Sequence, residues 1–356
     1  MEPYIEINGR RIGPGCSTYV VAEMSANHHQ DIDQAVALLK EAKRAGADAI
    51  KLQTYTPDTM SLQSDNNIFR IDGGTLWDGE TLYDLYRRAY MPWEWQPKLK
   101  AVADEIGLAF FSTAFDLTAV DFLEKLEVPV HKVASFEIVD IPLIERMART
   151  GKPMIISTGM ASLAEVGEAV LAARKAGATQ IALLKCTSAY PAPPEAMNLR
   201  TIPHMIEEFQ VPVGLSDHTL GIAVPIAASV LGACIVEKHF TLSRSMPGPD
   251  STFSLEPHEL KSMIEAIRTC EKAVGKVYYG SDAQEEKSRI FRRSLFVVDA
   301  VKAGERFTPE NVRSIRPGNG LHPRNLQRII GRYATRDIQR GTPLAWELIA
   351  KDEAES

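Results

Sequence analysis

Short apolar runs recur along the chain, and each is followed by a stretch with helical spacing. The runs are YVVAE (19–23), AIKLQ (49–53), LAFFST (108–113), VHKVAS (130–135), MIISTG (154–159), IALLKC (181–186), VGLS (213–216) and CIVEKH (234–239), eight in all. Runs that stay apolar without alternating are what strands covered on both faces look like, as in parallel sheets. In 33–45, Ala35, Leu38, Leu39 and Ala42 form an i, i+3, i+4, i+7 stripe, and Gly46 offers a stop. Ser162 and Glu165 form a capping box ahead of Val166, Ala169, Val170 and Ala173. Eight such strand–helix units over roughly 250 residues predict an α/β fold of the (β/α)8 TIM-barrel type. A doubly wound open sheet competes, but no GxGxxG opens the first crossover.

Three segments break the pattern. Residues 4–13 alternate apolar and polar around Asn8-Gly9, which predicts an N-terminal hairpin. Residues 54–92 are too long for a simple loop, and long loops after a barrel strand serve the site. Beyond 281, GSDAQEEKSR reads as a polar linker. RRSLFVV, GERFTPENV, RPGNGLHP and RGTPL then give short strands broken by Gly and Pro. The expected division is a barrel domain at 1–280, a linker at 281–290 and a small β-rich domain at 291–356.

Composition narrows the functional classes. The 356 residues are 45% hydrophobic, enough for a full core, and carry a net charge of −6, which argues against bulk attraction to nucleic acid. Any anionic substrate must therefore be held by local cations. Cys16, Cys186, Cys234 and Cys270 are scattered without a CxxC pair, which fits a reducing compartment better than a disulfide framework. The N-terminus, MEPYIEINGRRIG, is charged where a signal peptide needs an apolar stretch, and no run suits a membrane span. A soluble, cytoplasmic protein is expected.

The strand ends carry the chemistry. In a (β/α)8 barrel the C-terminal ends of the strands share one mouth. Read in order they are Glu23; Lys51 and Gln53; Ser112 and Thr113; Lys132 and Ser135; Ser157 and Thr158; Thr187 and Ser188; Ser216 and His218; Glu237, Lys238 and His239. Singly, each has a plain explanation: a lysine with a solvated stem, a hydrogen-bonded histidine, a serine capping a helix. Together, two cations and several hydroxyls aimed at one point describe a pocket for phosphate or carboxylate. His218 and His239, from the adjacent seventh and eighth strands, could share an ion with Glu23 or Asp250 nearby and room for water. Two imidazoles suit an open Mn²⁺ or Mg²⁺ site better than structural zinc, which takes four protein ligands.

At this point the sequence resembles the sialic acid synthases. The likeness rests on AEMSANH (22–28), KLQT (51–54), FFSTAFD (110–116), KVASFE (132–137), STGM (157–160), CTSAYP (186–191), GLSDHTLG (214–221), EKHFT (237–241) and GPDSTFS (248–254). RPGNG (316–320) resembles that family's C-terminal antifreeze-like (SAF) domain, so the likeness spans nearly the whole chain. Within the family, GGTLWDGETLYDLYRRAYMPWEW (73–95) is similar to pseudaminic acid synthases. NHHQ (27–30) replaces the NHNG of many N-acetylneuraminate-forming members, and Ser188 an asparagine common there; both point away from N-acetylneuraminate.

The resemblance implies a transferase that joins phosphoenolpyruvate to an N-acetylated sugar aldehyde, here 2,4-diacetamido-2,4,6-trideoxy-L-altrose. N-acetylneuraminate or legionaminic acid synthesis by the same chemistry is the alternative. A synthase acting on arabinose 5-phosphate would need a second, arginine-built phosphate clamp, which the strand ends lack. The family's pattern implies that Lys51, Thr113, Lys132, Ser135, Ser157, Ser188 and Ser216 hold phosphoenolpyruvate. It implies His218 and His239 as ligands of a divalent metal, Mn²⁺ or Mg²⁺. Glu23, Gln53, Glu137, Tyr190 and Asp250 would surround the aldehyde and a water. Arg316 would reach the sugar's N-acetyl group in the mouth of a partner subunit, which implies a domain-swapped homodimer.

Overall fold

The computed structural model describes residues 3–351 except Thr75 and Pro247. Thr75 of the 73–95 segment and residues 352–356 of the expected tail domain therefore lie outside the described residues. The chain divides after Gly275 into two compact units.

The first unit opens with an antiparallel hairpin, Ile5–Ile7 against Arg10–Ile12. Asn8 and Gly9 both sit at positive φ, 49° and 76°. A two-residue turn that matches the twist of its strands needs that conformation at both positions. Eight parallel strands then close into a barrel: β1 (Tyr19–Glu23), β2 (Ala49–Thr54), β3 (Ala109–Ala114), β4 (His131–Val133), β5 (Met154–Ser157), β6 (Ile181–Cys186), β7 (Val213–Asp217) and β8 (Ile235–His239). β8 closes on β1, with Ile235 opposite Tyr19 and His239 opposite Glu23. Every residue of β1, β7 and β8 is buried, as non-alternating strands between a packed interior and a helical layer must be.

Each strand is followed by a helix: α1 (Ile32–Ala45), α2 (Gln96–Glu105), α3 (Leu117–Lys125), α4 (Ile141–Ala148), α5 (Leu163–Lys175), α6 (Thr201–Phe209), α7 (Ala223–Val230) and α8 (Pro257–Val274). The stripe on α1 is buried at Ala35, Leu38, Leu39 and Ala42. Asp31 caps its start, and Gly46, at φ 97°, ends it in the left-handed conformation that glycine adopts without penalty. Ser162 and Glu165 form the reciprocal capping box of α5, a motif that stabilises a helix by about 1 kcal/mol.

Three stretches are more particular than the sequence pattern indicates. The run 130–135 gives only a three-residue strand, and Ser135 lies past its end, before a 3-10 turn at Phe136–Val139. The insertion after β2 folds into a short helix, Pro57–Met60, a 3-10 turn, Asn67–Phe69, and a second helix, Leu82–Ala89. Within the polar segment 281–290, Ala283–Ser288 is a short helix capped by Asp282.

The second unit contains an antiparallel pair, Ser294–Val297 with Val312–Ile315, and the short helix Leu326–Ile329. Leu295, Val297, Phe307, Val312, Ile329 and Leu344 pack into its own core. Arg316 directly follows its strand Val312–Ile315.

Candidate active site

The alternation of side chains along a strand decides which polar strand ends meet. Glu23, Lys51, Gln53 and Thr113 point into one cavity at the C-terminal mouth of the barrel. So do Lys132, Ser135, Ser157, Tyr190, Ser216, His218 and His239. Their immediate neighbours point the other way, and here the reading of the strand ends needs correction. Ser112 Oγ lies 2.7 Å from Thr54 Oγ1, within the barrel wall. Thr158 Oγ1 donates to the Leu184 carbonyl, and Thr187 Oγ1 to that of Ala196. Lys238 leaves the mouth altogether and pairs with Asp217 at 2.5 Å, both side chains fully buried.

Two ammonium groups lie inside the cavity. Lys51 Nζ is 2.8 Å from Glu23 Oε2 and 3.5 Å from Glu237 Oε1, and it donates to Thr113 Oγ1 at 3.2 Å. Burial opposes its charge, but the two carboxylates outweigh burial and raise its pKa. Lys132 differs. It is 2% exposed and donates only to Ser157 Oγ (2.7 Å) and the Val133 carbonyl (3.0 Å). No carboxylate stands within ion-pair distance of it among the described residues, and burial pushes its pKa down. The Glu237 charge favours its ammonium form from beyond contact but does not offset burial, so an arriving anion would stabilise this cation further.

The hydroxyls cluster on the same side. Ser135 Oγ accepts from the Gly159 N–H at 3.1 Å. A side chain at Gly159 would collide with Ser188 Oγ and stand 2.6 Å from Ser135 Oγ, so this glycine lets Ser135 and Ser188 converge. Ser188 itself sits beside Cys186 Sγ, 3.9 Å away.

The carboxylates are differentiated by their surroundings. Gln53 Nε2 donates to Glu23 Oε1 (3.0 Å) and Ser25 Oγ (2.9 Å), which fixes the orientation of Glu23. Burial raises the Glu23 pKa, and the charge of Glu237 raises it further. Burial also works to raise Glu237, but the Lys132 and Lys51 ammonium groups outweigh it and hold that carboxyl below its ordinary range. Ser216 Oγ donates to Glu237 Oε1 at 3.2 Å. Glu137, in the turn after β4, is pushed up to about 7 by burial, against the pull of its own backbone N–H and of Lys132. Asp250, buried beside the mouth, accepts from the Ala26 N–H at 3.4 Å and has its pKa raised by burial.

His218 and His239 face each other with ring centres 5.2 Å apart. His218 Nδ1 lies 3.1 Å from the Thr187 carbonyl, which can only accept; the proton therefore sits on Nδ1 and the lone pair of the neutral ring on Nε2. Burial is the main force that keeps His239 neutral, and its Nδ1 has no hydrogen-bond partner among the described residues, with Asp250 Oδ2 4.0 Å away. A carbonyl-oriented imidazole beside a neutral one is a donor pair of the kind metal sites use. Among the described residues no group of three or more His, Cys, Asp or Glu could hold an ion. The pair thus fits a divalent ion completed by oxygens from outside the protein. Cys186 Sγ lies 3.9 Å from His218 Nδ1; burial resists ionisation of this thiol, but His218 brings it down to about 7.

The sequence alone assigns no role to several residues of this cavity. Glu237 stands in the polar run that ends β8, where inward parity with His239 marks it. Phe115 also lines the cavity. Tyr190 lies 4.3 Å from His218 and 5.4 Å from Phe253 between ring centres, and Trp77 of the insertion stands 5.8 Å from Tyr190. In this arrangement the cavity holds about 60 Å³ of open space.

A buried pair of lysines, a fan of hydroxyls and two facing imidazoles at the mouth of an eight-stranded barrel narrow the comparison to few families. The model of the NeuB family matches residues 38–279, and that of the SAF domain matches 292–350. The chain belongs to the NeuB family. It is 45% identical over 327 residues to a pseudaminic acid synthase of Helicobacter pylori, covering 92% of this chain and 96% of that one. It is 42% identical over 326 residues to a pseudaminic acid synthase of Campylobacter jejuni, covering 92% and 95%. The crystal structure of an N-acetylneuraminic acid (sialic acid) synthetase from Leptospira borgpetersenii, in complex with citrate, superposes with a TM-score of 0.72 at 30% identity. That match covers 81% of this chain and 95% of the other. Membership in NeuB makes the chain a phosphoenolpyruvate-using transferase with metal-assisted chemistry. No helix among the described residues is long and apolar enough to cross a membrane.

Proposed function

We propose that this NeuB-family chain is a pseudaminic acid synthase. It condenses phosphoenolpyruvate with 2,4-diacetamido-2,4,6-trideoxy-L-altrose and releases phosphate. The observation that carries the reading is Lys132: a buried ammonium that touches only a hydroxyl and a carbonyl among the described residues, opening on the cavity that His218 and His239 face. The choice of sugar is supported by the names of the relatives and by the character of the 73–95 insertion.

In this reading Lys132, with Ser157, and Lys51, with Thr113, hold the phosphate and carboxylate of phosphoenolpyruvate, while Ser135, Ser188 and Ser216 complete its hydrogen bonds. His218 and His239 hold the divalent ion, Mn²⁺ or Mg²⁺, which when bound supplies Lewis acidity toward the aldehyde oxygen. C3 of phosphoenolpyruvate attacks the aldehyde carbon, and the C2–C3 π electrons become the new carbon–carbon bond. Glu23 and Glu237 face the cationic character that develops at C2 and stabilise it without reorganising. Water adds at C2, one of its protons passes by way of Glu23 or Asp250 to the alkoxide left on the former aldehyde oxygen, and the tetrahedral product collapses to the ketone as its C2–O–P link breaks, the remaining hydroxyl proton leaving with phosphate. The opposite pKa displacements of Glu23 and Glu237 support a split of roles, Glu23 as the stronger base taking up the proton and Glu237 remaining charged throughout. Gln53, Glu137 and Tyr190 line the sugar's side.

The same proposal takes 1–280 as the synthase domain, 281–290 as linker and 291–356 as an antifreeze-like domain. Arg316 of that domain completes the mouth of a partner subunit in a domain-swapped homodimer. A cytoplasmic setting accords with four free cysteines. The test is phosphate release from phosphoenolpyruvate and Mn²⁺ across a panel of N-acetylated hexoses, with mass analysis of the product. The diacetamido-altrose should exceed every other sugar by at least tenfold. Preference for N-acetylmannosamine, or release with arabinose 5-phosphate, would overturn the assignment.

A further inference from the structure

The reaction gives no task to Lys238 and Asp217, yet each immediately precedes or follows an inward-facing site residue, and one borders each imidazole. We propose that their ion pair is a positioning device that sets the spacing of His218 and His239. The inference rests on the reading of those histidines as ion ligands.

Backbone pairing between β7 and β8 aligns Val236 with Leu215, Glu237 with Ser216 and Lys238 with Asp217. It stops there, and His218 and His239 lie one residue beyond. The last cross-link before the imidazoles is therefore the side-chain pair. On the helix-facing side, Lys238 Nζ meets Asp217 Oδ2 at 2.5 Å and also donates to the Thr219 carbonyl. Asp217 in turn accepts from the Thr219 N–H (3.2 Å) and Thr219 Oγ1 (3.0 Å). One ammonium thus ties β8 to β7 and to the chain on the far side of His218. On the inward side the matching link is the Ser216–Glu237 hydrogen bond. The register is pinned on both faces, two residues short of the rings on the inward side and one residue short on the outer side.

Energetics favour this use over a purely stabilising one. Both side chains are 0% exposed. Desolvating two ions costs several kcal/mol each, and an apolar pair of similar volume commonly serves stability as well or better. The best-attested use of such a buried polar pair is fixing register.

The test compares Mn²⁺ affinity, from the electron paramagnetic resonance signal of free Mn²⁺, with the denaturant midpoint of the same full-length protein. D217N/K238M keeps an oxygen for Thr219 and the length of the lysine stem while removing both charges. Its midpoint should stay near that of the wild type while Mn²⁺ affinity falls tenfold or more, the range seen when groups that orient metal ligands are removed. D217N alone keeps hydrogen-bonding capacity and should lose affinity by a smaller factor; it serves as the test if the double variant does not fold. Unchanged Mn²⁺ affinity in either folded variant overturns the proposal. H239A separates the two readings. If the wild type binds Mn²⁺ and H239A does not, an unaffected D217N/K238M sinks the positioning role alone. If wild type and H239A are equally silent, the ion site and the positioning role fall together.

Discussion

Replacing Lys132 by methionine should make the empty protein more stable and the enzyme worse. Methionine keeps the length of the side chain and removes the charge. In the folded chain that charge is 2% exposed and bonded only to a hydroxyl and a carbonyl. Burial lowers its pKa, so the folded state holds this proton less firmly than the unfolded chain and is penalised at neutral pH. Replacing buried ions by apolar groups of similar volume stabilises proteins by on the order of 1–4 kcal/mol in favourable cases. A gain at the lower end of that range is expected, since the Ser157 hydroxyl loses its donor and Glu237 loses one of the two ammonium groups that favour its charge. Against this, a hydrogen bond from a charged group to a bound anion contributes about 1.5–3 kcal/mol. At 1.36 kcal/mol per decade, the loss raises KM for phosphoenolpyruvate by roughly 10- to 150-fold. Urea denaturation without ligand, and initial-rate kinetics with phosphoenolpyruvate varied at saturating sugar, measure the two effects separately. A K132M protein that is less stable than the wild type, or that keeps its KM for phosphoenolpyruvate, would refute the view of Lys132 as a counter-ion held for the substrate.

Four further outcomes are expected. His28 is buried and its pKa falls to about 4, chiefly through burial and then through His29. Its contribution is complete above pH 6.5 and is lost as pH falls toward 4, a cost of about 3 kcal/mol that H28Q should remove from the acid limb of a stability–pH curve; an unchanged limb would contradict this. G159A places a methyl group against Ser188 and Ser135, so KM for phosphoenolpyruvate should rise at least tenfold while the circular dichroism spectrum is retained; wild-type kinetics would show that the two hydroxyls are not substrate contacts. H239A should lower kcat by on the order of 10²-fold or more and abolish its response to added metal; full activity at low free metal would remove the imidazoles from the mechanism. R316A, in an intact dimer, should raise KM for the sugar and leave that for phosphoenolpyruvate unchanged; unaltered sugar kinetics would cancel the role of the second unit.

The barrel was legible because its strands are apolar on both faces and its helices carry clean caps, as Asp31, Ser162 and Gly46 show. The mouth was legible only in part. Sequence order places two or three polar residues at most strand ends, but alternation admits every second one. Thr113 therefore faces the cavity while Ser112 is spent within the wall, and Lys238 turns away between Glu237 and His239. Glu237 could have been chosen by that parity alone. Trp77, Phe115 and Phe253 gave no comparable signal, because an aromatic in a loop has the same sequence appearance whether it fills a core or walls a site. Gly159 was hidden for a different reason: what matters there is the space a side chain would take, and that exists only once β4, β5 and β6 have brought Ser135 and Ser188 together.

The aromatic wall links the insertion to the site. Trp77, in the insertion after β2, stands against Tyr190, a residue that lines the cavity. The contact runs on from Tyr190 to His218, whose ring centre is 4.3 Å away. A substitution in the insertion that shifts Trp77 is thereby carried, ring by ring, to an imidazole of the site.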